Sequence, residues 1–473
     1  MIKSMLLTEL LDVVAGRIVD CRGEHGCAEN SLSQDALTIT GVSTDTRTLS
    51  AGDLYVPLKG ERFNGHDFMS QAHQAGAIAA LIDEDCAAVD DMVLIRVDDC
   101  LLALGQLAQY QRRQFGGPVV AVTGSAGKTS VKQLMANVLS QQYNTWMTQG
   151  NLNNHIGAPL TLLSIQPEHE AAMIELGASG LKEIGYTAQF VEPQVGIITN
   201  ASAAHLDGFG SLEGIVKTKG ELLDFIQTDG CAVLNRDDVY FSDWYERAKK
   251  RDLKVLCFGL HADADIRAEN IESTLDGCRF QLLLEGQQYA VNFPLLGEHN
   301  VRNALAVVAA ARALTLPMEY VIRGLETAQA FQGRLRWCDG AQGQRMLDDS
   351  YNASPASVRA AIQVLANAEH SWLVLGDMAE LGDVAEQTHQ EIGLYAKQQG
   401  IKHLVATGRL NKNTVAAFGD NGIWFENRRE LVHYLQQQTQ AGDVLLIKGS
   451  RSAGMDQVVT AMQSAVPSGE EDN

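Results

Sequence analysis

The sequence predicts an α/β protein of three domains. Its 473 residues exceed one ordinary hydrophobic core, because a domain holds about 150 residues on average. The composition is 45% hydrophobic and 20% charged, as in folded globular proteins. From residue 118 onward, continuous apolar segments alternate with helical segments, a pattern typical of parallel sheets covered by helices on both faces. We therefore divide the chain into residues 1–97, 98–332 and 333–473.

The N-terminal segment predicts a small mixed domain. Its short strands and turns are separated by Gly41, Gly52, Gly60 and Gly65, and a helix and a strand follow. Residues 98–115 have apolar side chains at helical spacing. We therefore expect a helix there that leads into the second domain.

The second and third segments each predict a parallel sheet. In the second, strands are expected at 119–122, 172–176 and 195–199, and a closely packed alanine-rich helix at 300–314. In the third, strands are expected at 372–375, 404–406 and 444–447. Helical segments separate these strands, which predicts a Rossmann-like domain. The acidic tail at 467–473 is expected to fray.

Charge, cysteine spacing and hydropathy exclude several classes of protein. The net charge of -21 argues against binding to nucleic acids or to anionic membrane surfaces. The eight cysteines form no C-x-x-C pair, so their spacing predicts no structural zinc site, and free thiols suit a reducing compartment. The N-terminus lacks the apolar stretch of a signal peptide. No segment reaches the roughly eighteen apolar residues of a membrane span. We expect a cytoplasmic protein without integral membrane contact.

A glycine-rich loop lies between the first strand and the first helix of the second domain. It consists of Thr123-Gly124-Ser125-Ala126-Gly127-Lys128-Thr129-Ser130. In this context, backbone N–H groups and a helix N-terminus bind phosphates. Lys128 is expected to contact the β- and γ-phosphates of a nucleotide, and the Thr129 hydroxyl to bind Mg²⁺. Val122 occupies the place of the usual earlier glycine, so the loop is a shorter variant. The alternative is a plain glycine turn with a surface lysine.

The order of several motifs resembles that of Mur ligases over nearly the whole chain. Besides the loop, these motifs are residues 151–157, Glu175-Leu176-Gly177-Ala178, Thr199-Asn200, Ala204-His205-Leu206, residues 298–305 and Gly333-Arg334. The resemblance implies an ATP-dependent amide ligase of peptidoglycan precursor synthesis. Residues 347–353, 376–382 and 447–451 are most similar to the member that joins D-alanyl-D-alanine to UDP-N-acetylmuramoyl-tripeptide through an acyl phosphate. A monomer is expected.

The resemblance also implies a magnesium site. Glu175 ends a predicted strand and His205 follows another, and both are magnesium ligands in this family, together with Thr129. Taken alone, Glu175 is better interpreted as a solvated strand end and His205 as a loop histidine satisfied by the backbone. Family members carry a carbamylated lysine in the following helix. The spacing of fourteen residues from His205 favours Lys219 over Lys217, and such a lysine must be partly buried to be unprotonated.

For the rest of the nucleotide, the resemblance places adenine beside Asn300 and Asn303, ribose at Asp349 and the γ-phosphate at Arg334. Amide side chains both donate and accept, as a base edge requires, and a guanidinium binds phosphate in a bidentate manner. Without the resemblance, Asn300 is as well interpreted as a helix cap and Arg334 as a surface residue.

Two further groups of residues are candidates for the other substrates. Ser43, Thr44 and Asp45 suit uracil and ribose, and Arg47 or Lys59 suits a diphosphate, although Ser-Thr-Asp is equally typical of a turn. The remaining candidates for the UDP-tripeptide and the dipeptide are Asn151, Asn154, Tyr351, Asn352, Lys448 and Arg451.

Three alternatives remain open at this point. A family member that adds a diamino acid carries an Asn-Pro-Arg motif in its last domain, and none is present here. A folylpolyglutamate synthase shares the second and third domains, but the N-terminal Ser-Thr-Asp and Phe-Asn-Gly-His segments argue against it. A phosphate-loop ATPase that does not ligate is the alternative from a different class.

Overall fold

The computed structural model describes residues 4–20, 28–29, 37–60, 62–86, 89, 91–202 and 206–464. Three large sheets, of six, nine and six strands, follow one another along the described part of the chain and confirm the predicted α/β class. Among the described residues, none of the helices is long and apolar enough to cross a membrane.

The N-terminal region has a six-stranded mixed sheet in the order β3-β2-β8-β7-β6-β5 and a small antiparallel pair, β1 and β4. Strands β5 to β8 are parallel, whereas β2 runs antiparallel to β3 and β8. Its elements are β1 (Met5–Leu6), α1 (Leu7–Val14), β2 (Arg17–Asp20), β3 (Ala28–Glu29), β4 (Thr38–Ile39), β5 (Gly41–Ser43), β6 (Asp53–Tyr55), α2 (Met69–Gln74), β7 (Ala79–Ile82) and β8 (Val93–Arg96).

The predicted helix after this sheet is α3 (Cys100–Gln114). Asp99 caps it by accepting a hydrogen bond from the Leu102 N–H at 2.8 Å, as N-cap carboxylates do. Its buried face packs against α1 and against the α5 and α6 helices of the central region. One continuous apolar core therefore extends from the N-terminal region into the central one.

The central sheet has nine strands in the order β10-β11-β9-β12-β13-β14-β15-β16-β17. The first seven in this order are parallel, and β15 to β17 form an antiparallel extension. The elements are β9 (Val119–Thr123), α4 (Lys128–Leu139), β10 (Thr145–Met147), α5 (Gly157–Leu163), β11 (Ala171–Glu175), α6 (Glu183–Val191), β12 (Val195–Ile198), α7 (Leu206–Phe209), α8 (Leu212–Gly220), β13 (Cys231–Asn235), α9 (Phe241–Lys250), β14 (Lys254–Gly259), β15 (Ile266–Thr274), β16 (Gly277–Leu284), β17 (Gln287–Phe293), α10 (Glu298–Ala313) and α11 (Met318–Glu326).

The C-terminal sheet has six strands in the order β18-β19-β23-β20-β21-β22, all parallel except the edge strand β18. Separate apolar cores cover its two faces, as a doubly wound sheet requires. Its elements are β18 (Arg336–Asp339), β19 (Arg345–Asp349), α12 (Pro355–Leu365), β20 (Ser371–Leu375), α13 (Ala385–Gln398), β21 (His403–Thr407), α14 (Asn411–Phe418), β22 (Gly422–Phe425), α15 (Arg428–Gln438), β23 (Val444–Lys448) and α16 (Asp456–Gln463).

Two strand registers position the site. In the central sheet, Glu175 of β11 pairs with Val122 of β9, and Ile198 of β12 pairs with Thr123. In the C-terminal sheet, Asp349 of β19 pairs with Lys448 of β23. The carboxyl ends of parallel strands are where open α/β sheets bind ligands, and both sets of strand ends open onto one cavity.

Candidate active site

The glycine loop joins β9 to α4, and its two glycines are required by close packing. Gly124 has φ +151° and Gly127 has φ +83°. A Cβ on Gly124 would lie 1.9 Å from Thr199 Oγ1, and one on Gly127 would lie 2.6 Å from Asn303 Oδ1. Only glycine adopts this backbone without strain and leaves this space open. Gly127 precedes α4 directly, so the loop presents a helix N-terminus, as phosphate binding requires.

The end of β12 clamps this loop. Asn200 Oδ1 accepts from the Ala126 N–H at 2.9 Å, and its Nδ2 donates to the Ala126 carbonyl at 3.1 Å. The Thr199 hydroxyl donates to the same carbonyl at 2.6 Å, and Ser125 Oγ bonds both polar backbone groups of Ser202. From the sequence, Thr199 and Asn200 were known only as one motif in a series. Their hydrogen bonds to Ala126 show that the pair fixes the conformation of the glycine loop.

Lys128 lies inside the loop, where its ammonium donates to the Gly124 carbonyl at 2.6 Å. Burial lowers the pKa of Lys128; the charge of Glu175 opposes this shift, and Arg334 adds to it. The Lys128 and Arg334 cations are therefore close enough to influence each other. Two neighbouring cations favour the binding of a highly charged anion.

Glu175 is the centre of the candidate metal site. Its Oε1 accepts hydrogen bonds from Thr129 Oγ1 at 3.3 Å and from Asn153 Nδ2 at 2.8 Å. Its Oε2 lies 3.3 Å from Lys132 Nζ and accepts no hydrogen bond from the described residues. His205, the other predicted magnesium ligand, lies outside the described residues.

Lys219 is buried at the end of α8, whereas Lys217 is exposed. Burial, with Lys128 nearby, lowers the pKa of Lys219 well below its usual range. Its Nζ lies 5.7 Å from the centre of the Phe209 ring. The carbamate prediction required a partly buried lysine, and of the two candidates Lys219 is the buried one.

Sequence analysis missed Lys132 and Asn153, both of which contact Glu175. Lys132 is only 1% exposed, although a lysine in an amphipathic helix is ordinarily assigned to the solvent side. Lys132 follows Thr129 by three residues, which places both side chains on one face of α4. This spacing could have indicated that Lys132 faces the site. Sequence analysis selected Asn151 and Asn154 instead. Both are exposed, and Asn154 Oδ1 accepts from the Gly157 N–H at 2.8 Å at the start of α5.

Seven of the predicted nucleotide residues line one cavity of about 300 Å³ between the central and C-terminal sheets, namely Ala126, Gly127, Ser130, Asn300, Asn303, Arg334 and Asp349. Asn303 Nδ2 donates to Asn300 Oδ1 at 3.0 Å, which leaves Asn303 Oδ1 facing the loop glycine. Thr199, Asn200 and Lys448 line the same cavity. It also contains Phe258 and His299, which sequence analysis did not single out.

Arg334 and Tyr351 connect this cavity to a second one. The Arg334 guanidinium lies 4.3 Å from the centre of the Tyr351 ring, and its buried Nε has no hydrogen-bond partner among the described residues. The Arg451 guanidinium lies 5.4 Å from the same ring. Arg451 and Asn352 line a second cavity of about 340 Å³ at the carboxyl ends of the C-terminal strands. Tyr351 thus stands between two cations, one at each cavity.

Lys448 is on the nucleotide side. Its Nζ donates to Asp349 Oδ2 at 2.6 Å and to the Asn352 carbonyl at 2.8 Å, and the side chain is buried. Burial raises the pKa of Asp349 and lowers that of Lys448, and their mutual attraction opposes both shifts. Of the two cations that the sequence suggested for the dipeptide, Lys448 is buried and paired with Asp349, whereas Arg451 is exposed.

In the N-terminal region, the predicted UDP residues mostly bond to one another. Ser43 Oγ accepts from the Asp45 N–H at 3.1 Å, which is the turn geometry that remained open at the sequence level, with Thr44 half-buried within it. Arg47 pairs with Asp45 at 2.6 Å and lowers the pKa of that carboxyl to about 2. Lys59 pairs with Glu84 at 2.8 Å.

The loop, the buried acidic residue behind it and the cavity shared by two α/β sheets define an enzyme that uses a nucleoside triphosphate. Comparison with known proteins makes the class specific. The family described as Mur ligase middle domain matches residues 122–311, the Mur ligase, glutamate ligase domain matches 333–451, and the Mur ligase family, catalytic domain matches 38–112.

Whole-length relatives agree with these matches. The UDP-N-acetylmuramoyl-tripeptide--D-alanyl-D-alanine ligase of Escherichia coli is 40% identical over 97% of this chain and 98% of its own. The ligase of the same name from Bacillus subtilis is 34% identical over 89% and 92%. A crystal structure of MurF from Acinetobacter baumannii has a TM-score of 0.88 at 33% identity, covering 98% of this chain and 99% of its own. The chain belongs to the Mur ligase family and is an ATP-dependent ligase.

Proposed function

We propose that this ligase joins the amino group of D-alanyl-D-alanine to the tripeptide carboxylate of UDP-N-acetylmuramoyl-tripeptide, with ATP as the energy source. The observation that carries the proposal is the Arg334–Tyr351–Arg451 stack, which connects the nucleotide cavity to a second cavity with an exposed guanidinium. A small dipeptide with a free carboxylate suits a cavity of that size and charge. The names of whole-length relatives support the same substrates.

The reaction proceeds in two steps. A tripeptide carboxylate oxygen bonds to the γ-phosphorus as the bond to the β-phosphate oxygen breaks, which gives an acyl phosphate and ADP. The dipeptide nitrogen then bonds to the acyl carbon, loses a proton and expels phosphate. Lys128 and Arg334 neutralise the phosphoryl charge as it moves. Asn352 and Arg451 are the groups we assign to the dipeptide, and Asn300, Asn303 and Asp349 those we assign to the nucleoside.

Glu175 and Thr129 fit a magnesium ion. Glu175 Oε2 is buried and accepts no hydrogen bond from the described residues, and carboxylate and hydroxyl oxygens are ligands that Mg²⁺ prefers. When bound, Mg²⁺ neutralises charge on the transferring phosphate. We include His205 in this set from the motif order.

We assign the carbamate to Lys219. Its burial favours a neutral amine, and a neutral amine is the form that adds carbon dioxide. The carbamate then supplies a second anion to the proposed magnesium set, in which the charge of Glu175 is already partly balanced by Lys132.

The UDP end of the substrate is assigned to the N-terminal region. Thr44, Asp45 and Arg47 lie just beyond the carboxyl end of β5. The Asp45–Arg47 pair is at the surface, so a diphosphate needs only to displace an exposed ion pair, which costs little. Lys59 is the second cation of this group, and Asn151 and Asn154 are the exposed amides we assign to the tripeptide. We retain 97/98 and 332/333 as the domain boundaries.

Phosphate release tests the proposal. With ATP and Mg²⁺ present, rapid release is expected only when both the UDP-tripeptide and D-alanyl-D-alanine are added, and a pentapeptide product of matching mass must form. Omission of either substrate should reduce the rate to background. Robust release without the dipeptide would support an ATPase that does not ligate. Ligation of a glutamate to a folate in place of the dipeptide reaction would support the folylpolyglutamate alternative.

A further inference from the structure

We propose that His66, Asp83 and Cys100 of the N-terminal region form a binding site for one Zn²⁺-like divalent metal ion. Their three ligand atoms all lie within 4.8 Å of one another. They belong to three separate segments, which are the 3-10 turn Gly65–Phe68, the loop after β7 and the first residue of α3. No cysteine spacing rule detects such a set, and none of its three residues is among those assigned to the substrates or to magnesium.

The hydrogen bonds around His66 fix which ring nitrogen is protonated. Asn64 Nδ2 donates to Glu84 Oε1 at 2.5 Å, so Asn64 Oδ1 is the acceptor that faces His66 Nδ1 at 2.9 Å. The proton is therefore on Nδ1. In a neutral ring the other nitrogen, Nε2, has a free lone pair. Burial lowers the pKa of His66, which favours that neutral ring.

This lone pair points at another acceptor. His66 Nε2 lies 3.4 Å from Asp83 Oδ1, and the imidazole is only 3% exposed. Neither atom has a hydrogen-bond partner among the described residues. Two buried acceptors in contact repel unless a cation lies between them, which is either a second ring proton on Nε2 or a metal ion. In a tetrahedral zinc site, neighbouring nitrogen and oxygen ligands are about 3.4 Å apart, given metal–ligand bonds of about 2.0–2.2 Å.

The third proposed ligand is the Cys100 sulfur, which favours zinc over magnesium or calcium. The Cys100 backbone N–H donates to Asp83 Oδ2 at 3.2 Å, so the carboxylate is anchored at the start of α3. One imidazole, one carboxylate and one thiolate form a set that zinc prefers over magnesium or calcium. Burial raises the pKa of the Cys100 thiol. Binding therefore releases the thiol proton to solvent as the metal–sulfur bond forms. The Nδ1 contact with Asn64 is the outer-sphere contact that orients a metal-bound histidine.

Lys59 is the competing cation. Its Nζ lies 3.4 Å from Asp83 Oδ1 and 2.8 Å from Glu84 Oε2. The side chain is half exposed, so it moves away at little cost, whereas the three proposed ligands are held by the fold. A bound metal would link the turn that contains His66 to α3, the helix that packs against both the N-terminal and central regions.

Cobalt substitution tests the site on the full-length protein. After removal of metals by chelation, Co²⁺ is titrated in and the thiolate-to-cobalt charge-transfer band is recorded in the near ultraviolet. One equivalent should saturate this band, and added Zn²⁺ should abolish it. Co²⁺ bound by oxygen ligands at the magnesium site gives no such band, so the two sites are distinguished. Absence of the band in the wild type at excess Co²⁺ overturns the proposal.

Two single substitutions identify the sulfur. Cys100→Ser should abolish the band, and Cys86→Ser, at a half-buried free cysteine of the same region, should leave it unchanged. A band that survives Cys100→Ser contradicts the assignment. If Cys100→Ser fails to fold, X-ray absorption of the zinc-loaded wild type decides. One sulfur at about 2.3 Å with nitrogen and oxygen at about 2.0–2.2 Å is expected, and a shell without sulfur refutes the site.

Discussion

Replacement of Lys132 by methionine should destabilise the central region strongly, because it leaves Glu175 as a buried charge without its partner. The two side chains are 1% and 3% exposed, with 3.3 Å between Nζ and Oε2. At that separation and an effective dielectric constant of about 20, their attraction is roughly 5 kcal/mol. Loss of one member of a buried pair costs about 3–5 kcal/mol in practice. Methionine also removes the hydrogen bond from Nζ to the Gly150 carbonyl.

Thermal unfolding measures this loss. For a unit of about 150–250 residues, each kcal/mol shifts the melting temperature by about 2–4 °C, so the transition of the central region should fall by roughly 6–20 °C. Arg113→Met is the matched control. It breaks an ion pair of 2.7 Å between Arg113 and Glu192, in which the arginine is 61% exposed. Such surface pairs contribute at most about 1 kcal/mol.

A second variant separates charge from packing. Lys132→Met combined with Glu175→Gln removes both charges, so the double variant should recover most of the stability lost by Lys132→Met alone. A Lys132→Met protein that melts within about 2 °C of the Arg113→Met control would refute the buried pair. A double variant no more stable than Lys132→Met would show that packing, and not charge, accounts for the loss.

Three further outcomes are expected. Gly127→Ala should weaken ATP binding at least about tenfold, because φ is +83° and the added Cβ would lie 2.6 Å from the buried Asn303 Oδ1. Gly286→Ala is the control, because Gly286 has a similar φ of +77° but open space around it, and it should leave ATP binding unchanged. Calorimetric titration measures both affinities. Burial lowers the pKa of His299 from 6.5 to about 4, so the unfolded chain binds a proton that the folded one does not. The associated stability is full above pH 6.5 and should fall by roughly 3 kcal/mol as the pH drops to about 4; denaturant unfolding of His299→Gln should lack this dependence. Lys219→Ala should lose most activity and regain part of it with short carboxylates, and Lys217→Ala should retain it; equal tolerance of both contradicts the carbamate.

The fold was predictable because its strongest signals are local. Strands β9, β11 and β12 are entirely buried, so their sequences are continuous apolar runs. The alanine-rich helix α10 is also largely buried and packs against α4 and against β12 to β15. The antiparallel extension β15 to β17 was not predicted. Its strands alternate between buried and exposed residues over part of their length, but a bulge between Glu269 and Glu272 shifts the register and interrupts the period of two.

The site was only partly predictable, because several of its residues contradict their usual environments. Asn300, Asn303 and Arg334 meet in one cavity, as motif order suggested. Lys132 was missed since propensity assigns helix lysines to solvent, and its burial depends on a carboxylate 43 residues away, at Glu175. The buried ion pair of Lys448 was not predicted for the same reason, because its partner Asp349 comes from a neighbouring strand. The burial of Lys132 and of Lys448 each depends on an ion pair with a residue distant in the sequence. Such a pairing cannot be read from a single sequence.

The position of Tyr351 has a consequence for how the two cavities act together. Gly333 has φ +72°, and a Cβ there would lie 3.0 Å from both the Cβ and the backbone nitrogen of Tyr351, so the connection between the central and C-terminal sheets packs closely against the base of this side chain. The ring of Tyr351 lies within 5.4 Å of both the Arg334 and the Arg451 guanidinium groups. In the proposed reaction, these contacts would link the phosphoryl-transfer site to the amine site, so that domain closure positions two substrates for sequential steps.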